Sequence, residues 1–531
     1  MPGIRLPAQA TRALLIAVAL LPGRHAAAQE RRISLGEAIA AALANNGDLR
    51  VAREEVGIAG DQVDVERSTY DPVLFGRVFA GRDVLPGSAT AFPSKDRQLG
   101  GEAGVSGQLP TGLDYSVSLG LTSQRHDDPF GTVYDPAYLS RLDLSLTQPL
   151  LRGAWGSGNR QAIVVVALRK QQSDALLRAQ LEQTVSLVQV AYWNLVRARQ
   201  ERDARDASLQ LAREQLEESR RLVKLGAVSR LDEVEAGAGV SRRLQELHSA
   251  TADVTEAEGL LLELLQIRIG ERGWKSDDVL VPTDSAEVVP VRESIEHHLA
   301  LARKNRPDLL AARRLTGAET AALELAANRK RPGLDLVARA GLAGLAGELA
   351  DNYATAGIND PMGLDPPFFT DPDLDGGVPD SLANLVSRNF YSLYLGLRIE
   401  LPLRNQEAEA RYSIQRHQLE KARAAQRSIQ ARIENDVRTS LRRLASNASI
   451  VAAADQAVTQ TERLLDGTRK RFHNDDSTSF DVLRVLDELT RSKIEAARAR
   501  ARYQVALSRL EVANGTLLDR MGISVRSLQH R

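Results

Sequence analysis

Residues 113–122, Leu-Asp-Tyr-Ser-Val-Ser-Leu-Gly-Leu-Thr, set Leu113, Tyr115, Val117, Leu119 and Leu121 in alternation with Asp114, Ser116, Ser118, Gly120 and Thr122. Successive side chains of a β-strand point to opposite faces, so this segment predicts a strand with one apolar and one polar side. The same period recurs at Leu142, Leu144 and Leu146, and at Leu393, Leu395, Leu397, Ile399 and Leu401 with Tyr394, Gly396, Arg398 and Glu400 between them. Weaker alternation at 73–80, 101–109 and 334–342 brings the number of such segments to six. On alternation alone, a half-buried sheet in a globular domain is the stronger reading.

Two further features reverse that order. Arg5 and Arg12 precede an apolar run at 13–21, and Ala26, Ala27 and Ala28 then offer a small-residue cleavage site. That is the pattern of a secretory signal, too short to cross a bilayer as a helix of about 20 residues, with cleavage expected after Ala28. Polar loops rich in Asp, Pro and Gly at 84–96, 125–140 and 347–389 suit the outward rim of a barrel. Beyond the signal no stretch has the length of an apolar membrane helix, so membrane attachment through the fold requires a β-barrel. The absence of cysteine excludes disulfides and a lipid-modified amino terminus, so no lipid anchor is expected. The balance of 69 basic and 69 acidic residues gives no electrostatic case for nucleic acid.

Elsewhere the period changes to that of helices. Leu177, Leu181, Val185, Val188, Tyr192 and Leu195 form one seam in steps of four and three, the spacing of a coiled coil. The stretch 159–225 lacks proline and is flanked by Gly158 and Gly226, which predicts a single helix of about 100 Å at 1.5 Å per residue. Its counterpart is 405–472, and both turn back into second helices, 229–266 and 479–514. The helices at 34–68 and 291–329 are shorter, as is 229–266. Short helices are therefore expected to stack end to end beside the long ones, giving four columns per chain.

The order of parts occurs twice. Asn45, Asp48, Leu49, Arg53 and Pro72 align without a gap with Asn305, Asp308, Leu309, Arg313 and Pro332. Later, Pro149 of LTQPL aligns with Pro402 of IELPL, and Leu231-Asp232 with Phe480-Asp481. Two tandem repeats are expected. The first, 29–290, has a helix, strands at about 72–149 and the hairpin 159–266. The second, 291–523, has a helix, strands at about 333–403 and the hairpin 405–514, followed by a tail at 524–531.

The opening ISLGEAIAAALANNGDLRVAREE, the passage LSLTQPLLRG with Asn159-Arg160 after it, and the stretches AYWNLVRAR and SLQLAREQLEESRRLVKLGAVSRLDEVEA resemble the TolC-like outer-membrane efflux family, the outer membrane factors. The resemblance runs from Ile33 to about Ile523. It implies an α+β membrane protein, a homotrimer whose three chains share one transmembrane β-barrel continued by a long antiparallel α-helical barrel across the periplasm. It further implies an exit duct in the outer membrane of a Gram-negative bacterium, passively conducting substrates from an inner-membrane transporter of the RND, ABC or MFS type, with a periplasmic adaptor (membrane fusion) protein docked on the helical end. Family members place four strands per chain in the barrel, and four is the expectation here, with 101–121 an extra hairpin around Pro110-Thr111 that either extends beyond the membrane or enlarges the barrel.

Energy in such a system comes from the pump, and no GxxxxGK[ST] sequence is present. No Ser/His/Asp set or carboxylate pair stands in a catalytic context, so neither enzyme activity nor a cofactor is expected. His297 and His298 are adjacent and point to different helix faces, which disfavours a metal site. Tyr192-Trp193 reads as packing between helices. A periplasmic coiled-coil scaffold is the rival class, but it leaves the strands ending at QPL and LPL unexplained.

Function is expected to concentrate at the two helix turns. In the first, Gly226 suits a helix C-terminus and Ser229 an N-cap, which by itself accounts for both. The resemblance adds Gly226, Val228, Ser229, Leu231 and Asp232 as adaptor contacts. The second turn carries Asp475, Asp476 and Asp481, which threefold symmetry would triple at one mouth, where a carboxylate ring draws cations. Asp481 matches an acidic constriction ring of the family; the competing reading is helix capping, with Ser477 and Ser479 as rivals for that role. Arg484 stands where members have a second acidic constriction residue, and Phe472 and Ser477 stand at the positions of a gating tyrosine and arginine. A ring pairing Asp481 with Arg484 would either close by salt bridges or cancel the cation preference.

Overall fold

The computed structural model describes residues 30–85, 94–127, 133–226, 228–267, 278–288, 293–350, 372–387, 390–473 and 476–523. The expected signal and the tail at 524–531 lie outside them. The first half runs β1 (Glu30–Ile33), α1 (Leu35–Asn45), α2 (Gly47–Arg67), β2 (Val73–Leu85), β3 (Ser94–Gln108), β4 (Asp114–Asp127), β5 (Tyr134–Pro149), α3 (Ser157–Lys224) and α4 (Arg230–Leu265). The second runs β6 (Val279–Pro282), α5 (Ile295–Asn305), α6 (Pro307–Arg329), β7 (Gly333–Leu349), α7 (Val378–Ser387), β8 (Phe390–Glu400), α8 (Gln406–His473), α9 (Ser479–Asn514) and α10 (Leu517–Arg520).

All six alternating segments lie in one sheet of order β2-β3-β4-β5-β7-β8, every neighbour antiparallel. The sheet thus holds six strands per chain, two more than the four expected in a barrel. The segments at 101–109 and 113–121 are not an appendage, because β3 pairs with β2 from Val73↔Ser106 to Leu85↔Ser94, and β4 with β5 from Asp114↔Thr147 to Gln124↔Ala137. The ladders also run past the expected strand ends, so the loops read at 84–96 and 125–140 are shorter than the sequence implies. Within 347–389, α7 packs on β5 and β7, where Ser381 Oγ donates to Ser140 Oγ at 3.0 Å and to the Gly344 carbonyl at 3.1 Å. Strands of 11 to 17 residues meet or exceed the 9–11 or so that a tilted strand needs to cross a bilayer.

The long helices match their expected spans within two residues, and each has 68 residues, about 100 Å of helix. The helices expected at 34–68 and 291–329 are each broken in two. Asn46 ends α1 and starts α2, its side chain accepting from Leu49 N at 3.1 Å. Pro307 is the first residue of α6 and excludes helical geometry at Arg306. End-to-end stacking is present. Gln266 Oε1, beyond α4, accepts from Gly47 N of α2 at 2.8 Å. Gly515, beyond α9, has φ +68, and a Cβ there would lie 2.8 Å from Arg306 N at the start of α6.

The predicted seam is the core. Leu177, Leu181, Val185, Val188, Tyr192 and Leu195 are all buried, packed with Ile39 and Leu43 of α1, Leu261 and Leu265 of α4, and Leu280 of β6. Full burial of each such leucine stabilises by roughly 1.5–3 kcal/mol. A parallel β1–β6 pair, which periodicity does not reveal in four-residue segments, lies beside α3. Tyr192 fixes it there, donating to Asp284 Oδ2 at 2.5 Å and accepting from Thr283 N and Asp284 N. Burial pushes its phenol pKa up.

Candidate functional site

Register brings the apolar residues of all six strands to one face. Leu74 pairs with Val105, Val105 with Val117, Val117 with Leu144, Leu144 with Ala340, and Ala340 with Leu393. The other face carries Arg77 and Glu102, paired at 2.7 Å, and Asp335 and Arg398, paired at 3.1 Å, together with Asp143 and Arg339. Much of the apolar face is bare: Val78 is 84% and Leu395 73% exposed. Only toward the end away from the long helices does α7 cover it, over Ser140 and Gly344. A sheet in water buries its apolar face against a second layer, whereas this one leaves it open and pairs charges on the other.

The two hairpin tips share one capping device. Ser229 caps α4 through Leu231 N, and its own amide donates to Asp232 Oδ2 at 3.0 Å. Thr478 caps α9 through Asp481 N at 3.2 Å, while Asp481 Oδ2 accepts from the Thr478 amide and hydroxyl at 3.2 and 2.8 Å. Both are capping boxes with Asp at the third helical position, reciprocally satisfying exposed amides. Of the rivals, Ser477 Oγ donates to Asp481 Oδ2 at 3.4 Å. Ser479 turns inward, where it meets Gln215 and Ser219 of α3 at 3.3 Å.

Asp481 and Arg484 lie together at 3.5 Å, with Arg484 largely exposed. The Thr478 hydroxyl and amide, then Arg484 and Ser477, hold the Asp481 pKa below the ordinary value. Asp476 is exposed and its backbone bonds to Arg471, while Asp475 lies outside the described residues. Phe472 is only 6% exposed, packed with Leu465, Val482, Leu483 and Leu486, so its ring belongs to the tip core rather than its surface. On the first tip Gly226 has φ +76, Val228 is half-buried, and Ser229, Leu231 and Asp232 lie at the start of α4 with Leu231 63% exposed. Leu225 at 79% and Val234 at 66% add to that apolar surface and were not among the expected contacts.

Sequence reasoning also missed Arg243. It is fully buried, donating to Ser208 Oγ on α3, to the Gly239 carbonyl on α4, and to the Leu483 carbonyl and Asp487 Oδ1 on α9, the last at 2.6 Å. One guanidinium thus ties three helices behind the tips. The available signal was an arginine on the seam of small and apolar residues that runs Ala236, Gly239, Arg243, Ala250, Val254 and Ala257 along one face of α4. His298 is buried with Nδ1 2.9 Å from Asn514 Nδ2, a packing contact between α5 and α9.

No family model matches the chain. In sequence it is 23% identical over 517 residues to the outer membrane efflux protein BepC of Brucella suis biovar 1 (strain 1330), spanning 97% of this chain and 91% of that protein. In fold it is similar to the outer-membrane channel OprN, with TM-score 0.61, 16% identity, and 91% and 90% of the two chains covered. It is likewise similar to the CmeC outer membrane channel of Campylobacter jejuni, with TM-score 0.59, 15% identity, and 97% and 94% covered. Along nearly its whole length, then, the chain has the fold of the TolC-like outer-membrane channels and resembles an efflux member of that group in sequence.

Proposed function

We propose that this protein is the outer-membrane exit duct of a tripartite efflux or type I secretion system, passively conducting substrates delivered by an inner-membrane pump. The observation that carries the reading is the two-faced sheet, bare on its apolar side, joined directly to helices of about 100 Å. Three copies close the sheets into a barrel in lipid, and their helices form the tunnel that crosses the periplasm. The tips are the far mouth. The apolar Leu225, Leu231 and Val234 with Gly226, Val228, Ser229 and Asp232 meet a periplasmic adaptor, and Asp481, Arg484, Asp475 and Asp476 set the charge of the constriction. Phe472 acts on the gate by packing, and Ser477 by its bond to Asp481. The protein itself performs no reaction; the free energy comes from the pump.

Membrane fractionation tests the reading. The protein is expected to stay with outer membranes through an alkaline wash and to conduct ions as a trimer in planar bilayers. Release by salt or alkali would replace it with a periplasmic scaffold.

A further inference from the structure

The strand count that departs from the expected four bears on the width of the duct, granted the trimeric reading above. The β2 and β8 strands end the sheet, and no described strand lies beyond either. Neither edge carries proline or lysine, and the apolar face of each, with Leu74 and Val78 on β2 and Leu393, Leu395 and Leu397 on β8, is free of charge over that stretch. Natural edges that stay free are usually protected by such residues or covered. Ten of the eleven residues of β8 are exposed, on both faces of the strand.

Parity then selects the partner. With six antiparallel strands, β2 and β8 run in opposite directions. A β2–β2 or β8–β8 seam between copies related by an axis along the membrane normal would be parallel. Making it antiparallel requires inverting one copy, which sends its helices to the wrong side. Only β8 against β2 of the next copy is antiparallel with all helices on one side, and it keeps Leu393 and Leu395 on the same face as Leu74 and Val78.

We infer that β8 of each chain pairs with β2 of the next, with the β3–β4 hairpin inside the wall, so that three copies close a barrel of eighteen strands and not twelve. At a strand spacing near 4.8 Å and a tilt near 40°, eighteen strands enclose a backbone cylinder about 36 Å across, against about 24 Å for twelve. The cross-section is roughly double, which suits bulky or polypeptide cargo at the outer exit.

The chain has no cysteine, so single thiols report cleanly. In vesicles, Leu119→Cys on β4 is expected to react with a lipid-soluble maleimide and not a water-soluble one, and Thr122→Cys on the polar face with the water-soluble reagent. Leu144→Cys and Ser145→Cys on β5 are expected to show the same contrast. If both β4 thiols react with the water-soluble reagent while the β5 pair keeps its contrast, the hairpin lies outside the wall and the eighteen-strand barrel is overturned, with the duct reading intact. If the β5 pair loses its contrast as well, both fall. Electron cryomicroscopy of the trimer in lipid discs gives the second measurement: eighteen strands support the inference and twelve refute it.

Discussion

Asp481 holds its negative charge to lower pH than a free aspartate because the Thr478 hydroxyl and amide, with Arg484 and Ser477, stabilise the carboxylate. A depressed folded pKa means the charged cap contributes stability above the unfolded value and loses it only as pH falls through the lower one. Cation preference in bilayer reversal potentials is therefore expected to persist at about pH 4, close to the ordinary 3.8, and to drop in Asp481→Ala. Unchanged selectivity in that variant excludes the ring role. Glu182 has the opposite sign: burial lifts its pKa to about 7 against the pull of Arg178. The folded protein then holds a proton that the unfolded chain releases near 4.5, so stability falls as pH rises from about 4.5 to 7 and levels off above. Glu182→Gln is expected to melt higher than the parent at pH 8, by up to about 3 kcal/mol, and alike at pH 4. Equal melting at both pH values contradicts this. At this scale the sequence is only partly legible. Ser477, Thr478 and Ser479 offer the same hydroxyl chemistry in a row, and only the backbone register selects Thr478 as the cap. The burial that perturbs Glu182 depends on α3 meeting other elements, which one helix's periodicity does not contain.

Elements respond to changes at their ends and crossings. Gly226 adopts a left-handed backbone with open space around its missing Cβ, so Gly226→Val meets no clash but carries about 1–2 kcal/mol of backbone strain. Pull-down of the adaptor by this variant is expected to weaken while native gels still report the trimer; undiminished capture removes the first tip from the docking surface. Arg243→Met is expected to destabilise by about 2–4 kcal/mol, because the Leu483 and Gly239 carbonyls and Asp487 lose their donor together. Hydrogen exchange should rise in α9 and α4 near the tips, with α2 and α6 unchanged. The long helices were legible because apolar steps of three and four persist over many turns without proline. The breaks in the two shorter helices were marked, by Asn46-Gly47 and Arg306-Pro307, but a continuous apolar pattern on both sides outweighed those marks. The α7 helix went unread because polar, glycine- and proline-rich sequence on either side of its ten residues gives a loop composition.

For the whole molecule, the deciding property is which medium each face of the sheet meets. Leu395 and Tyr394 are neighbours on opposite faces of β8, both exposed in the single chain. Leu395→Arg is expected to cost about 2–4 kcal/mol in folding into lipid vesicles, whereas Tyr394→Arg costs little. Equal costs would mean that both faces meet water. Alternation showed the two faces from the sequence, but not how many strands one sheet holds, since that number depends on pairings between distant segments. The proposed closure by three copies is less legible still, because it would leave no period within a chain. Two of the four helical columns, α3 and α8, are continuous, while the other two are jointed, α2 on α4 and α6 on α10's predecessor α9. Arg178 of α3 donates to the Gly515 carbonyl at one joint, and the seam from Leu177 onward packs beside the other, so both joints share one level. At that level only half the columns transmit torque through unbroken backbone hydrogen bonds. A twist applied at the hairpin tips would be taken up at these joints before it reached the sheet.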